Sequence, residues 1–294
     1  MRADRAMAPP RVMVWASALS LDAPVVALAW QELFASALGV AVGWPGRVVL
    51  GLAVWVVYAA DRWLDGRRIP EGRAATPRHR FAVRFRWPIA IAMFVAASVG
   101  LAVALTRLEP ALVRLGLGLG GGVAAYLALN QATPQGWGMR IPKELAAALI
   151  FAVGTLLLPL ARAPLAGRWA LATGGIYGAL CLINLVAVAA WDREQDLAQG
   201  QASVVTQAPG VVGWLPAAAW VLSGVALCVG VATLWGGLGA RAAAVPLCEA
   251  VSGAGLGLLL IERAPGSPEL RGLVADVVLL TPLPVLGVRW LAGG

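Results

Sequence analysis

Long apolar stretches, broken by proline, glycine and short charged segments, run through the whole chain. Nine of them are predicted as helices, at about 12–41, 44–65, 88–106, 110–130, 144–161, 169–191, 211–235, 242–261 and 272–291. A helix needs about 20 mostly apolar residues to cross the hydrocarbon core of a bilayer, and these stretches are of that order. Pro45, Pro88, Pro110 and Pro142 fall near predicted ends, where a fixed φ and a missing N–H do least harm. The runs are continuous rather than alternating, which excludes a membrane β-barrel. The connections are mostly short, with two long ones at about 66–87 and 192–210. The expectation is one all-α transmembrane domain over 1–294. Arg2, Arg5 and Arg11 precede Ala16-Ser17-Ala18, which resembles a signal-cleavage site, but the apolar pattern continues to Ala41 and suits a first span better.

Composition sharpens this. Of 294 residues, 60% are hydrophobic and 13% charged, with a mean hydropathy of +0.79. Soluble domains average about 45–50% apolar and about 25% charged, so an ordinary soluble enzyme and a disordered chain are both excluded. The net charge of +8 comes almost wholly from arginine, Lys143 being the one lysine. That is not a polybasic tail for nucleic acid, and no nucleic-acid partner is expected. Eight arginines lie between Arg62 and Arg86. With the N-terminus inside, sixteen of the 23 basic residues fall on the inner side, as positive-inside loops require. Both long loops are then cytoplasmic, on a protein integral to the inner or cell membrane. Cys181, Cys228 and Cys248 sit inside apolar runs with no CxxC pair and read as packing residues.

Each long loop opens with paired carboxylates. Asp61 and Asp65 are four residues apart, and so are Asp192 and Asp196. On a helix this spacing stacks two side chains on one face, with Cβ atoms about 5–6 Å apart. Like charges that close need a cation. Several hard oxygen ligands suit Mg²⁺, which is usually held by a few carboxylates, waters and substrate phosphates. Arg62, Arg67, Arg68, Arg78, Arg140, Lys143 and Arg193 share the predicted side and could face a diphosphate, which arginine binds in bidentate fashion. The plainer alternative is a solvated surface ion pair at each helix end.

Here the chain resembles the UbiA-type intramembrane prenyltransferase family, which has nine membrane helices and two aspartate-rich motifs, roughly NDxxDxxxD and DxxxD, at cytoplasmic helix ends. Asp192, Asp196, Gly200 and Ser203 are similar to the second motif, with Gln201 where a lysine is common. Asp61 and Asp65 match the last two aspartates of the first, while Val57 and Tyr58 stand at its Asn-Asp positions. The stretch from Arg140 to Glu144 resembles the family's basic site, with Lys143 as the residue of choice. The resemblance implies a cavity open to the cytoplasm amid the nine helices. It also implies Mg²⁺-dependent transfer of a prenyl group from a prenyl diphosphate to a hydrophobic or aromatic acceptor. Asp61, Asp65, Asp192 and Asp196 would hold the metal and act in catalysis. Arg62, Arg78, Lys143 and Arg193 would bind the diphosphate. The alternative is a non-enzymatic relative, a lipid transporter or a scaffold whose arginine loop binds anionic lipid.

Other residues carry open readings. Asp22, Glu32, Glu249 and Asp276 fall within spans, where an acid is costly and faces a cavity or a partner. Asp22, with Asn184 of the sixth span, is a candidate for the acceptor pocket; a packing hydrogen bond is the other reading. His79 reads as a solvated loop residue. Trp63 and Trp191 flank the aspartates and could face a carbocation, while most of the 13 tryptophans read as an interfacial belt. Gly116, Gly118, Gly120, Gly121 and Gly122 read as a surface for close helix packing.

Overall fold

The computed structural model describes residues 20–68, 84–132, 143–199, 203–261 and 268–291. Among these the chain is helical without a strand. The long helices are α1 (Asp22–Ala37), α2 (Gly43–Arg68), α3 (Arg86–Arg107), α4 (Pro110–Ala132), α5 (Lys143–Arg162) and α6 (Gly167–Trp191). Two short helices follow, α7 (Arg193–Gln199) and α8 (Val204–Gln207). Then come α9 (Val211–Trp235), α10 (Gly239–Ile261), α11 (Pro268–Val278) and α12 (Pro282–Leu291).

Seven helices are long and apolar enough to cross a membrane, and the bent pair α11–α12 would make an eighth. The chain is thus an integral membrane protein by the length and composition of its helices. The predicted span 12–41 is corrected to the 16 residues of α1: Ser20, at a left-handed φ of 57°, and Leu21 precede the helix, 38–41 follow it outside any helix, and 12–19 lie outside the described residues. The surface agrees with a lipid environment. On α3, Trp87, Ile91, Phe94 and Leu105 are exposed, as are Trp214 and Val221 on α9. A patch of that size in water would be an association site; in hydrocarbon it costs nothing. Trp44, Trp87, Trp214 and Trp290 are exposed near helix ends, in keeping with a belt.

α1 is the most enclosed element. Its Trp30, Leu33 and Phe34 are fully buried and pack with Tyr177 and Leu180 of α6. It contacts α2, α5, α10, α11 and α12. The Trp30 indole N–H donates to the Leu279 carbonyl at 2.8 Å, between α11 and α12. That break bends the pair by 44° and frees backbone groups that hydrocarbon cannot satisfy. Ser252 and Cys248 supply further partners: Ser252 Oγ donates to Val278 O, and Cys248 Sγ to Thr281 O. The sequence reading of 272–291 as one continuous helix is therefore corrected to two.

The glycine run of α4 is also corrected. A Cβ built at Gly116, Gly118, Gly120, Gly121 or Gly122 meets nothing within 4 Å, so these glycines are not a close-packing surface. α4 packs chiefly on α5, and α3 on α2. A space is left between the two pairs.

Candidate functional site

That space is a cavity of about 830 Å³, walled mainly by α2, α3, α4 and α5 and reached by α1, α6 and α7. Its charged lining residues lie at one end. They are Asp61 and Arg62 near the end of α2, Lys143 and Glu144 at the start of α5, Asp192 between α6 and α7, and Asp196 on α7. The fold thus sets both acidic segments on the wall of one cavity. Along the rest of the wall the lining is apolar apart from Gln31 of α1, Gln195 of α7 and the tyrosines Tyr58 and Tyr126, with Val54, Ala97, Leu119 and Leu157 typical of it.

Asp192 ends α6, and the N–H of Asp196 donates to its carbonyl at 2.9 Å, so one helical turn separates the two acids. Burial pushes the Asp196 carboxyl up to about 6, with Asp192 and Glu144 raising it further and Lys143 and a hydrogen bond to Ser203 opposing. Ser203 is positioned by a reciprocal cap on α8: its Oγ accepts the Thr206 N–H, and Thr206 Oγ1 accepts the Ser203 N–H at 2.8 Å. Glu144, almost fully buried, accepts the Val204 N–H on both carboxylate oxygens. α5, α7 and α8 are thereby tied together around the second acidic pair.

On the other side of the mouth, the Trp63 indole donates to the Arg86 carbonyl at 3.1 Å, joining the end of α2 to the start of α3. Val57 and Tyr58 also line the cavity. Tyr58 stands edge-on to Phe151, with ring centroids 6.2 Å apart. Tyr126 donates its hydroxyl to the Lys143 carbonyl at 3.3 Å. The aromatic rings on the wall are therefore Tyr58, Tyr126 and Phe151, whereas Trp63 and Trp191 are not on it. Trp191 packs against the main hydrophobic core.

The remaining residues singled out from the sequence divide as follows. Arg193 is off the cavity wall, and its Nε is buried without a hydrogen-bond partner among the described residues. Asn184 is off the wall as well, donating to Asp276 Oδ1 at 3.2 Å between α6 and α11. Asp22 accepts the Ala23 N–H in the first turn of α1 and does not line the cavity. Glu32 is paired with Arg47. Glu249 is fully buried, with neither carboxylate oxygen hydrogen-bonded among the described residues. Arg78, His79, Arg140, Gly200 and Gln201 lie outside the described residues, as do the side chains of Asp65, Arg67 and Arg68.

Gln31 and Tyr126 were missed by sequence reasoning. Gln31 sits in an apolar helix with no motif around it; the signal was only that a glutamine in a span needs a partner. Its Oε1 is buried and has no hydrogen-bond partner among the described residues.

The donor set bears on the metal. Among the described residues of the wall, the acids Asp61, Asp192, Asp196 and Glu144 outnumber the bases Lys143 and Arg62, and carboxylate oxygens are ligands of the kind a hard cation takes. Among the described residues, no three acids, histidines or cysteines converge closely enough to hold a metal ion as they stand. Carboxylate oxygens are the donor type that Mg²⁺ takes, but a closed ligand set would need Asp65, substrate phosphate or a rearrangement of these side chains. No family model, curated protein or solved structure matches the chain.

Proposed function

We propose that the chain is a membrane-embedded, prenyltransferase-like enzyme that moves a prenyl group from a prenyl diphosphate to a hydrophobic or aromatic acceptor. The observation that carries this is the cavity itself. It joins an acidic and basic mouth to an apolar interior, which is the shape of an amphiphile with a charged head and an isoprenoid tail. The seven long helices, the bent pair and α1 would make nine spans. The excess of arginine on one side would put the mouth in the cytoplasm.

Lys143 and Arg62 line the mouth and would bind diphosphate oxygens, Arg62 with its planar fork. Arg78 would join them from the long loop. Asp61, Asp192 and Asp196, with Asp65, would hold Mg²⁺. When bound, the ion supplies positive charge against the leaving diphosphate. The allylic C–O bond breaks with its electron pair leaving on the diphosphate. The acceptor then bonds to the electron-poor carbon and loses a proton. Tyr58 and Phe151 put aromatic rings on the wall, where a ring face would attract positive charge on that carbon. The apolar wall holds the tail and keeps water from the cation. Gln31 offers an amide to a polar group of the acceptor.

The test is thermal stability of the detergent-solubilised chain with Mg²⁺ and a prenyl diphosphate, alongside transfer of a labelled prenyl group in membranes. A rise in melting temperature that Asp192→Asn abolishes, together with transfer, is the expected result. No shift and no transfer would overturn the proposal. A second reading, a non-enzymatic lipid carrier, is favoured by Val57 and Tyr58 standing at the wall, where a valine offers no ligand oxygen and a tyrosine no carboxylate. It predicts lipid binding that survives Asp61→Ala and Asp192→Ala.

A further inference from the structure

The apolar part of the cavity has a floor. At the end opposite the charges, it is lined by Gly46, Leu108, Leu112 and Leu158. A Cβ at Gly46 would stand 2.6 Å from Leu158 Cδ1, so the absent side chain lets α2 and α5 close on each other there. Beyond the floor, Arg162 Nη1 donates to the Ala41 and Val42 carbonyls, fastening the end of α5 to the α1–α2 connection.

The depth follows from helical rise. Asp61 to Gly46 on α2, Leu127 to Leu112 on α4, and Lys143 to Leu158 on α5 each span 15 residues. At about 1.5 Å per residue, all three walls give a depth of about 22 Å. An isoprene unit adds four main-chain carbons, about 5 Å when extended at ordinary bond lengths. Resting on the prenyl-diphosphate reading above, we infer that the cavity is a molecular ruler for a diphosphate carrying about four isoprene units.

The graduations are the glycines of α4. Gly116 and Gly120 line the cavity, and a Cβ at either meets nothing within 4 Å. Gly120 is seven residues from Leu127, leaving about 10 Å, or two units, above it. Gly116 is eleven residues from Leu127, leaving about 16 Å, or three units. A leucine at either position would branch from a Cβ that meets no neighbour and would raise a new floor. Leucine also suits a helix interior better than glycine, so α4 itself is not weakened. Gly118 has the same freedom but is off the cavity wall, which makes it the control.

The experiment measures binding of diphosphates with two to six isoprene units to the full chain in lipid nanodiscs with Mg²⁺. Affinity is expected to rise up to four units and then level or fall, because further units find no wall. Burying each unit along the apolar wall should strengthen binding more than about tenfold. Gly116→Leu should move the break to three units and Gly120→Leu to two, each keeping the natural affinity for the lengths that still fit. Gly118→Leu should leave the series unchanged. Affinity that climbs past four units, or glycine variants that weaken all lengths equally, would overturn the ruler while leaving the enzyme reading intact. If no diphosphate binds at any length, it is the enzyme reading that fails.

Discussion

Glu144, in the first turn of α5, accepts the Val204 N–H on both carboxylate oxygens at 3.2 Å, across 60 residues of sequence. Val204 opens α8, and the residue before it, Ser203, hydrogen-bonds Asp196. The carboxylate therefore holds the second acidic segment against α5, next to Lys143. Its own value is that of a buried charge-assisted bond.

Replacing Glu144 by Ala should destabilise the protein by about 1–3 kcal/mol, since a buried N–H is left unpaired. The more specific outcome is local. Hydrogen exchange of the α7 and α8 amides should speed up by more than that of α9, while Glu144→Gln, which keeps one acceptor, should fall between. Unchanged exchange at Val204 in Glu144→Ala would sink the latch.

The Trp30 indole makes a second long-range bond, to the Leu279 carbonyl, and it tests the fold away from the charged mouth. Trp30→Phe keeps most of the buried ring and removes the donor. In an apolar setting the freed carbonyl finds no water, so a loss of about 1–2 kcal/mol is expected. Diphosphate binding should not change, because Trp30 is not on the cavity wall. Equal thermal stability of the variant and the natural chain would mean that the kink at 279–281 is satisfied without it.

These two contacts mark what the residue order disclosed and what it hid. The long helices were legible because hydropathy is a sum over many residues: 211–235 matches α9 to the residue, and 169–191 differs from α6 only at its start. That Asp61 and Asp192 share a side followed from counting spans. That they share a cavity, with α5 between them, depends on packing. α7 and α8 were read as loop because seven and four residues are too few for a helical period to emerge. The α11–α12 break was signalled by Pro282 and Pro284, but an unbroken apolar run masked it. The glycines of α4 were misread for a physical reason. Small residues permit close approach and they also permit empty space, and composition alone cannot choose between them.

The ion pairs at the floor end should matter unequally. Arg47 pairs with Glu32 on an exposed surface, where such pairs contribute less than about 1 kcal/mol. Arg162 is less exposed, pairs with Glu109 and also donates to the Ala41 and Val42 carbonyls. Arg47→Ala should leave the melting temperature nearly unchanged, and Arg162→Ala should lower it measurably. The reverse order would contradict the role given to the Arg162 backbone contacts.

The charged end should show its strain in pH. Burial and the neighbouring acids hold the Asp196 carboxyl at about 6, above the ordinary aspartate value of 3.8. Between those values the folded chain carries a proton at Asp196 that the unfolded chain has released. Stability from this group is thus fully present below about pH 4, is lost as pH rises toward 6, and is level above. In metal-free buffer, the natural chain should gain stability relative to Asp196→Asn as pH is lowered from 7 to 5. The asparagine variant does not titrate there, so the difference between the two isolates the group. Lys143 opposes the shift, and Lys143→Met should move the midpoint to higher pH. Mg²⁺ competes with the proton for the same oxygens, so adding the ion should move it down. A stability difference that stays flat from pH 4 to 7 would mean that the carboxyl is solvated and that Asp192 and Glu144 do not act on it.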